Sequence, residues 1–400
     1  MFFVSVSISA ILLIASSRLL ELSGPKLAME VNPLNVDAFI ALSQDALGRA
    51  ATADEVDGLL AISARLLAQT PGDARLYSAR GGLKALKGET QEALSDFRHA
   101  LVLAPTELYA LRWMIRRSAE QGDKSGFVNF LDTLFRRWPG NIDAYAPFLP
   151  EILQTSEERL ILVRHLQRQP PWRPALINRL SASPGGALFA AELLWELSEG
   201  TSGPTDGEIN QVVGALLDAG QYDEAYQTFL VTLAPDKQML SGNVYNGGFS
   251  AAPSGAPFDW AVRRQPGLTV TLPKSDGGKD SSSLSLEFLQ TPVRDPGIRQ
   301  FLKLAPGSYR LSVQASGDAA VLPKRLFWSV SCFRPSLPLA RLAVAQGTYP
   351  MTGSSVTFAV PEDRCGLQVL RLENRAMTES WNDRYSGTIA FDEIRIVSAR

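Results

Sequence analysis

The chain has 400 residues, 45% of them hydrophobic and 20% charged, with 31 glycines and 25 prolines. This is an ordinary folded composition on a chain longer than one core usually organises, so two or three domains are expected. A formal net charge of −2 without a dense Lys/Arg run argues against nucleic-acid binding. The only histidines are His99 and His165, and no HExxH, CxxC or GxSxG signature occurs, which removes several large enzyme classes from consideration.

The first element is apolar. Phe2–Ala15 (FFVSVSISAILLIA) carries no charge, and the uncharged run continues to Ser17 before Arg18. A helix over residues 2–17 would reach roughly 24 Å, short of a hydrocarbon core of about 30 Å. Extension through Leu19–Leu20, with Arg18 snorkelling to the interface, nearly closes that gap. Residues 1–22 are expected to form an uncleaved signal anchor, because no basic n-region and no clear small-x-small site flank the run. A signal-peptide core and a buried helix stand as alternatives. Arg18 and Lys26 follow the apolar run, which fits awkwardly with an outward-facing bulk under the positive-inside rule.

Residues 27–238 read as helix pairs. Pro71, Pro105 and Pro139 lie 34 residues apart, with near-repeating helical patterns between them. In the unit ending at Pro105, Tyr77, Gly81, Gly88, Ala93, Phe97 and Ala100 take the aromatic, small, turn, small, aromatic and small positions. Ala93, Leu94, Phe97, Ala100, Leu101 and Ala104 form one apolar stripe. The next unit keeps Gly122 and Leu131 but has Phe127 at a small-residue position. A more distant copy, GQYDEAYQTFLVTLAP, covers residues 220–235. The array resembles the tetratricopeptide-repeat family. The resemblance implies an α-solenoid that presents a surface to protein partners and carries no chemistry of its own. Between these copies, residues 140–219 read as irregular helix pairs, broken at Gln169–Pro174 and Ser183–Gly186. Trp172 and Trp195 are expected to pack between helices.

From residue 240 the apolar period becomes strand-like. Leu268–Leu272, Ser283–Phe288, Tyr309–Gln314, Leu326–Phe333, Ser355–Val360 and Ile389–Val397 alternate or run apolar between Gly, Pro, Ser and Asp, which predicts a jelly-roll β-sandwich over 240–400. The expected fold class is thus multidomain α + β, an α-solenoid followed by a β-sandwich. Asn246-Gly-Gly-Phe-Ser250, Pro257-Phe-Asp-Trp260, Leu304–Val313 and Ile389–Ile394 resemble carbohydrate-binding modules of families 4, 9 and 22, which are galactose-binding-like sandwiches. In those modules acidic residues commonly hold a structural calcium. Here Ser250 stands where the family has Glu, and Asp392 alone cannot supply six to eight oxygens, so no cofactor or metal is expected. For sugar contact Trp381, Tyr385 and Asn382, in the polar loop Thr378–Gly387, are the leading candidates, with Trp260 behind them. Trp328 lies on the apolar face of its strand and is expected in the core. The only cysteines, Cys332 and Cys365, fall in this domain and fit a disulfide; two buried thiols are the alternative.

Taken together, the elements resemble bacterial envelope proteins associated with exopolysaccharide assembly and export. This implies a non-enzymatic scaffold anchored in the inner membrane, with its bulk in the periplasm, or alternatively on the cytoplasmic face. Its expected partners are proteins on the helical array and polysaccharide on the sandwich. A glycan-acting enzyme using carboxylates such as Glu287, Asp295, Glu362, Asp363, Asp383, Asp392 or Glu393 is a second reading, although no spacing singles out a pair. A pure adaptor with a structural β-domain is a third.

Overall fold

The computed structural model describes residues 15–21, 23–49, 51–272, 283–374 and 382–399. Residues 1–14 of the expected anchor lie outside that set. Residues 15–20 are helical, and Ser17 donates to the carbonyl of Ala28 at 2.9 Å. No helix among the described residues is long and apolar enough to cross a membrane.

The protein is a multidomain α + β molecule, an α-solenoid followed by a β-sandwich. Its helices are α1 (Pro25–Val31), α2 (Val36–Gly48), α3 (Ala53–Gln69), α4 (Ala74–Leu86), α5 (Thr90–Leu103), α6 (Leu108–Glu120), α7 (Lys124–Arg137), α8 (Ile142–Tyr145) and α9 (Leu149–Ile152). They continue as α10 (Ser156–Leu166), α11 (Arg173–Leu180), α12 (Pro184–Ser198), α13 (Asp206–Asp218), α14 (Tyr222–Val231) and α15 (Pro235–Gln238). Contacts divide the chain into two compact units. One runs to Tyr145 and includes Glu151–Leu162; the other takes Ala146–Pro150 and everything from Val163 onward. The later helices therefore share a unit with the sandwich.

In the first unit, local chemistry sets each helix start. Thr52 and Glu55 form a reciprocal capping box on α3, and Asp73 and Asp123 accept from the first turns of α4 and α7. Gly88, at φ +80°, takes the left-handed turn that lets α5 fold back on α4. Gly81 lets the two helices approach: a Cβ there would sit 3.2 Å from the Ala93 carbonyl oxygen and from the Phe97 ring. Phe97, Ala93 and Ala100 are fully buried, and Phe97 stacks on Trp113 of α6 with ring centroids 4.4 Å apart. Beside them Asp96 is buried and paired with Arg80 and Lys84.

In the second unit a buried ion pair joins α11 to α13. Arg173 donates to both carboxylate oxygens of Glu208 at 2.7 Å and to the carbonyls of Leu166 and Gly203 at 3.0 Å. Glu208 also closes a capping box with Thr205. Trp172 is buried, and the Trp195 indole donates to Thr228 at 3.1 Å, so both pack between helices.

The sandwich consists of two five-stranded sheets, ordered β1-β4-β9-β6-β7 and β2-β3-β10-β5-β8, in which all pairings are antiparallel. The strands are β1 (Ala261–Val262), β2 (Leu268–Thr271), β3 (Leu284–Thr291), β4 (Ile298–Leu302), β5 (Gly307–Val321), β6 (Leu326–Cys332), β7 (Pro338–Ala343), β8 (Gly347–Val360), β9 (Gln368–Asn374) and β10 (Tyr385–Ser398). Alternation puts Leu311, Val313, Leu284, Leu286, Ile389 and Phe391 of one sheet against Leu326, Trp328, Val330, Leu370 and Leu372 of the other. Trp328 is fully buried at the centre, edge-on to Trp260 at 5.7 Å and to Phe391 at 5.3 Å. Cys332 and Cys365 are joined in a disulfide that ties the end of β6 to the residues entering β9.

Candidate functional site

The aromatic residues expected to contact sugar do not offer their rings to solvent. Trp260 is 1% exposed, stacks on Phe249 at 5.1 Å, and donates its indole N–H to the Asn246 carbonyl at 3.0 Å. It pins the Asn246–Ser250 segment to the core and, contrary to the expectation of a sugar platform, presents no ring face to solvent. Tyr385 is also 1% exposed, because the first residue of β10 points inward against Phe288, with centroids 5.6 Å apart. Its ring, contrary to the same expectation, is closed to solvent too. Asn382 is exposed, and Trp381 lies outside the described residues.

Asp259 turns inward as well. It accepts from the Ser254 backbone and hydroxyl at 2.7 and 2.8 Å and from the Trp260 N–H at 2.7 Å. Burial raises its carboxyl above the ordinary range, against the pull of those hydrogen bonds. A partly open cavity of about 200 Å³ lies among Trp328, Leu342, Tyr349, Thr352 and Phe391. It is apolar and too small for a polymer.

The outer faces of the two sheets differ in chemistry. On the sheet containing β10, paired rows read Thr271–Ser285–Ala390–Ser316 and Arg395–Ser312–Ser355. These rows are mostly short hydroxyl side chains, and the rows beside them mix acidic Glu287 and Asp318 with Arg310. On the other sheet, the register aligns Arg299 of β4, Arg371 of β9, Ser329 of β6 and Arg341 of β7 in one row across four strands. The adjoining row is Glu373–Phe327–Ala343. Trp328 faces the core, so Phe327 faces outward, and it is half-buried there.

Only half of this outer face is open. On the other side of the arginine row, Phe301 meets Phe333 at 4.9 Å and Phe258 at 6.4 Å. Phe258 in turn meets Tyr226 and Phe229 of α14 at 5.1 and 5.6 Å, and Lys303 pairs with Asp223 at 2.8 Å. Val369, outward-facing on β9, is left 2% exposed by this cover. The open half is the part that carries the arginines.

Its electrostatics are unbalanced. Partial burial, then the like charges of Arg263 and Arg371, lower the Arg299 guanidinium below its ordinary value, with Asp295 opposing them. Arg299 lies over the Phe301 ring, 5.6 Å from its centroid. The Nε of Arg371 is buried and has no hydrogen-bond partner among the described residues. Arg341 pairs with Glu373 at 3.1 Å. Ser329, between Arg371 and Arg341, is 5% exposed. Chemically the surface offers planar fork donors and one aromatic ring, which suits binding of a polar polymer. Among the described residues no group of three His, Cys, Asp or Glu side chains is placed to hold a metal ion.

Sequence reasoning missed these residues. Arg299, Arg371 and Arg341 are distant in the chain, and only the strand register brings them together. The one available signal was alternation in Arg371-Leu372-Glu373, where outward charges flank an inward leucine.

No family model matches the chain, and no curated protein matches it. Among solved structures, the chain is similar to a family 4 carbohydrate-binding module at 16% identity, covering 39% of this chain and 99% of that one, with a TM-score of 0.30. It is also similar to the CBM22-1 xylan-binding domain of Paenibacillus barcinonensis Xyn10C, at 14% identity over 38% of this chain and 94% of that one, TM-score 0.26. A third is TmCBM61 in complex with β-1,4-galactotriose, at 16% identity over 40% and 100%, TM-score 0.25. These likenesses fall on the β-sandwich.

Proposed function

We propose that the protein is a non-enzymatic scaffold of the bacterial envelope that binds polysaccharide through its β-sandwich and protein partners through a tetratricopeptide-like helical array. The observation that carries the polysaccharide half is the open outer face of the first sheet. Among the described residues it combines fork donors, Arg299, Arg371 and Arg341, with an outward aromatic ring, Phe327. The motif resemblance of residues 246–260 and 389–394 to carbohydrate-binding modules supports the same reading. The array half is supported by the α4–α5 pair, in which Gly81, Gly88, Ala93, Phe97 and Ala100 do the packing and turning that their repeat positions imply.

An exported setting, with residues 1–22 as anchor and the bulk in the periplasm, is favoured by the disulfide between Cys332 and Cys365, because such bonds persist in oxidising compartments. A role in exopolysaccharide assembly or export is the reading that this setting and glycan binding together favour. Three of the sandwich carboxylates serve the fold: Asp259 caps a turn, Asp295 accepts from the Gly297 N–H at 2.9 Å, and Glu373 pairs with Arg341.

The test is native affinity electrophoresis of the full chain through gels containing a panel of neutral and acidic polysaccharides, with product analysis of the same mixtures. Retardation by at least one polymer without release of smaller sugars is the expected result. Mobility unchanged in every gel would overturn the polysaccharide half, and shortened polymer would overturn the non-enzymatic half.

A further inference from the structure

The arginine row is an arrangement that costs the fold something and that folding alone does not explain. Arg299 and Arg371 are directly opposed across β4 and β9, where like charges destabilise a sheet. Arg263 is a second positive neighbour of Arg299. Among the described residues neither Arg299 nor Arg371 forms a salt bridge, and the buried Nε of Arg371 has no hydrogen-bond partner. Of the two nearby carboxylates, Glu373 is paired with Arg341, and Asp295, which accepts from the Gly297 N–H, acts on Arg299 without forming an ion pair with it. Four guanidinium groups thus gather around two carboxylates, in a chain whose net charge is −2. The opposite sheet shows the inexpensive solution for a solvent-facing row, serine and threonine.

A guanidinium offers two parallel N–H donors that match a carboxylate in both charge and geometry. We infer that this face binds a carboxylate-bearing polysaccharide of the polyuronate type, with Arg299, Arg371 and Arg341 engaging acidic groups along the polymer and Phe327 packing on the CH surface of a sugar ring. The inference rests on the polysaccharide-binding reading above and adds its chemical class. Neighbouring strands lie about 4.8 Å apart, so Arg299 and Arg371 are one step apart along the row, and Arg371 and Arg341 two steps, about 10 Å. A polymer lying across the strands meets cations at intervals comparable to its sugar repeat. Duplex nucleic acid asks for a broad basic surface. This row is one residue deep, bounded by Phe327 and Glu373 on one side and by the aromatic cover on the other, which favours a thin chain with sparse charge.

The experiment uses the full chain in native affinity gels containing polygalacturonate or alginate, fully methyl-esterified polygalacturonate, xylan, or single-stranded DNA. Polygalacturonate or alginate should retard the protein, and esterification should abolish the effect. Arg371→Gln and Arg341→Gln should each weaken retardation about tenfold or more, as expected for a lost charge-assisted contact. Arg341 lies on the exposed rim, so its variant reports on binding even if Arg371→Gln misfolds. Arg299→Gln should bind more weakly while its melting temperature stays level or rises, an outcome that a structural role would reverse. Retardation by xylan or the esterified polymer that survives both substitutions would overturn the acidic-glycan inference and leave polysaccharide binding intact. Retardation by DNA as strong as by polyuronate, with the same sensitivity to the variants, would overturn it in favour of a general anion surface. If no polysaccharide retards the wild-type chain, both the inference and the reading beneath it fall.

Discussion

Two groups of arginines in the second unit follow opposite rules. Arg173, between α11 and α13, is buried and fully answered: both oxygens of Glu208 and two main-chain carbonyls receive its donors. Arg299 and Arg371, on the first sheet, are partly open, face each other, and form no ion pair among the described residues. A charge removed from water must be paired, because desolvation otherwise outweighs everything it gains. A charge left half in water can stay unpaired at modest cost and keep its donors for something outside the chain. The same residue type therefore serves as a structural clamp in one place and, under the proposal above, as a binding surface in the other.

The sharpest way to break that contrast is to strip the clamp. Glu208→Ala leaves a buried guanidinium unanswered and should cost about 3–5 kcal/mol, read from urea unfolding curves. Replacing the pair together, Arg173→Met with Glu208→Leu, should recover much of that loss. If the double variant is as unstable as the single one, the pair is not the source of the penalty.

Next in size is the disulfide. Cys332→Ser with Cys365→Ser should lower stability by about 2–4 kcal/mol. It should also weaken polyuronate retardation, since the bond ties β6 to β9, the two strands that align Ser329 with Arg371. Unfolding midpoints with and without reductant check the first point, and the affinity gel checks the second.

Acid probes the clamp without mutation. Burial raises the Glu208 carboxyl, but the Arg173 guanidinium and the Thr205 N–H outweigh it and hold the group below its ordinary 4.5. A group lowered in the folded state contributes fully above its unfolded value and loses that contribution as pH falls through the folded one. Stability should therefore decline below about pH 4.5, and Glu208→Gln should flatten that part of the profile. The smallest expected effect is on the other side of the comparison. Arg299→Gln should shift stability by no more than about 0.5 kcal/mol, or raise it, because it relieves a like-charge contact. A loss above 2 kcal/mol would mean that Arg299 is structural, and the contrast would fail.

Legibility in the sequence followed the same division. In the second sheet β2 and β3 announce themselves by alternation, as do residues 309–314 of β5, 355–360 of β8 and 389–397 of β10. In the first sheet β6 and the apolar start of β9 do so, while β1, β4 and β7 do not. β1 has two residues. β4 places Gln300 at an inward position, satisfied by the backbone of Tyr245 at 3.1 and 2.8 Å, which erases its apolar period. β7 opens on Pro338, a residue that reads as a break. The buried aromatics were misread for a related reason: Tyr385 stands beside a polar loop in sequence, yet the first residue of β10 turns inward.

What the sequence alone determined is whatever depends on near neighbours. The prolines 34 residues apart, Gly88 at its turn, the apolar stripe through Phe97 and the period-two strands are local requirements of helix and sheet geometry, legible wherever they occur. Only the tertiary structure decided which side chains share a surface. Arg299, Arg371 and Arg341 become neighbours through antiparallel register between strands far apart in the chain. A one-residue slip in that register would move each of them to the opposite face. That is why the helix pair around Phe97 was readable from spacing, and the arginine row on the sandwich was not.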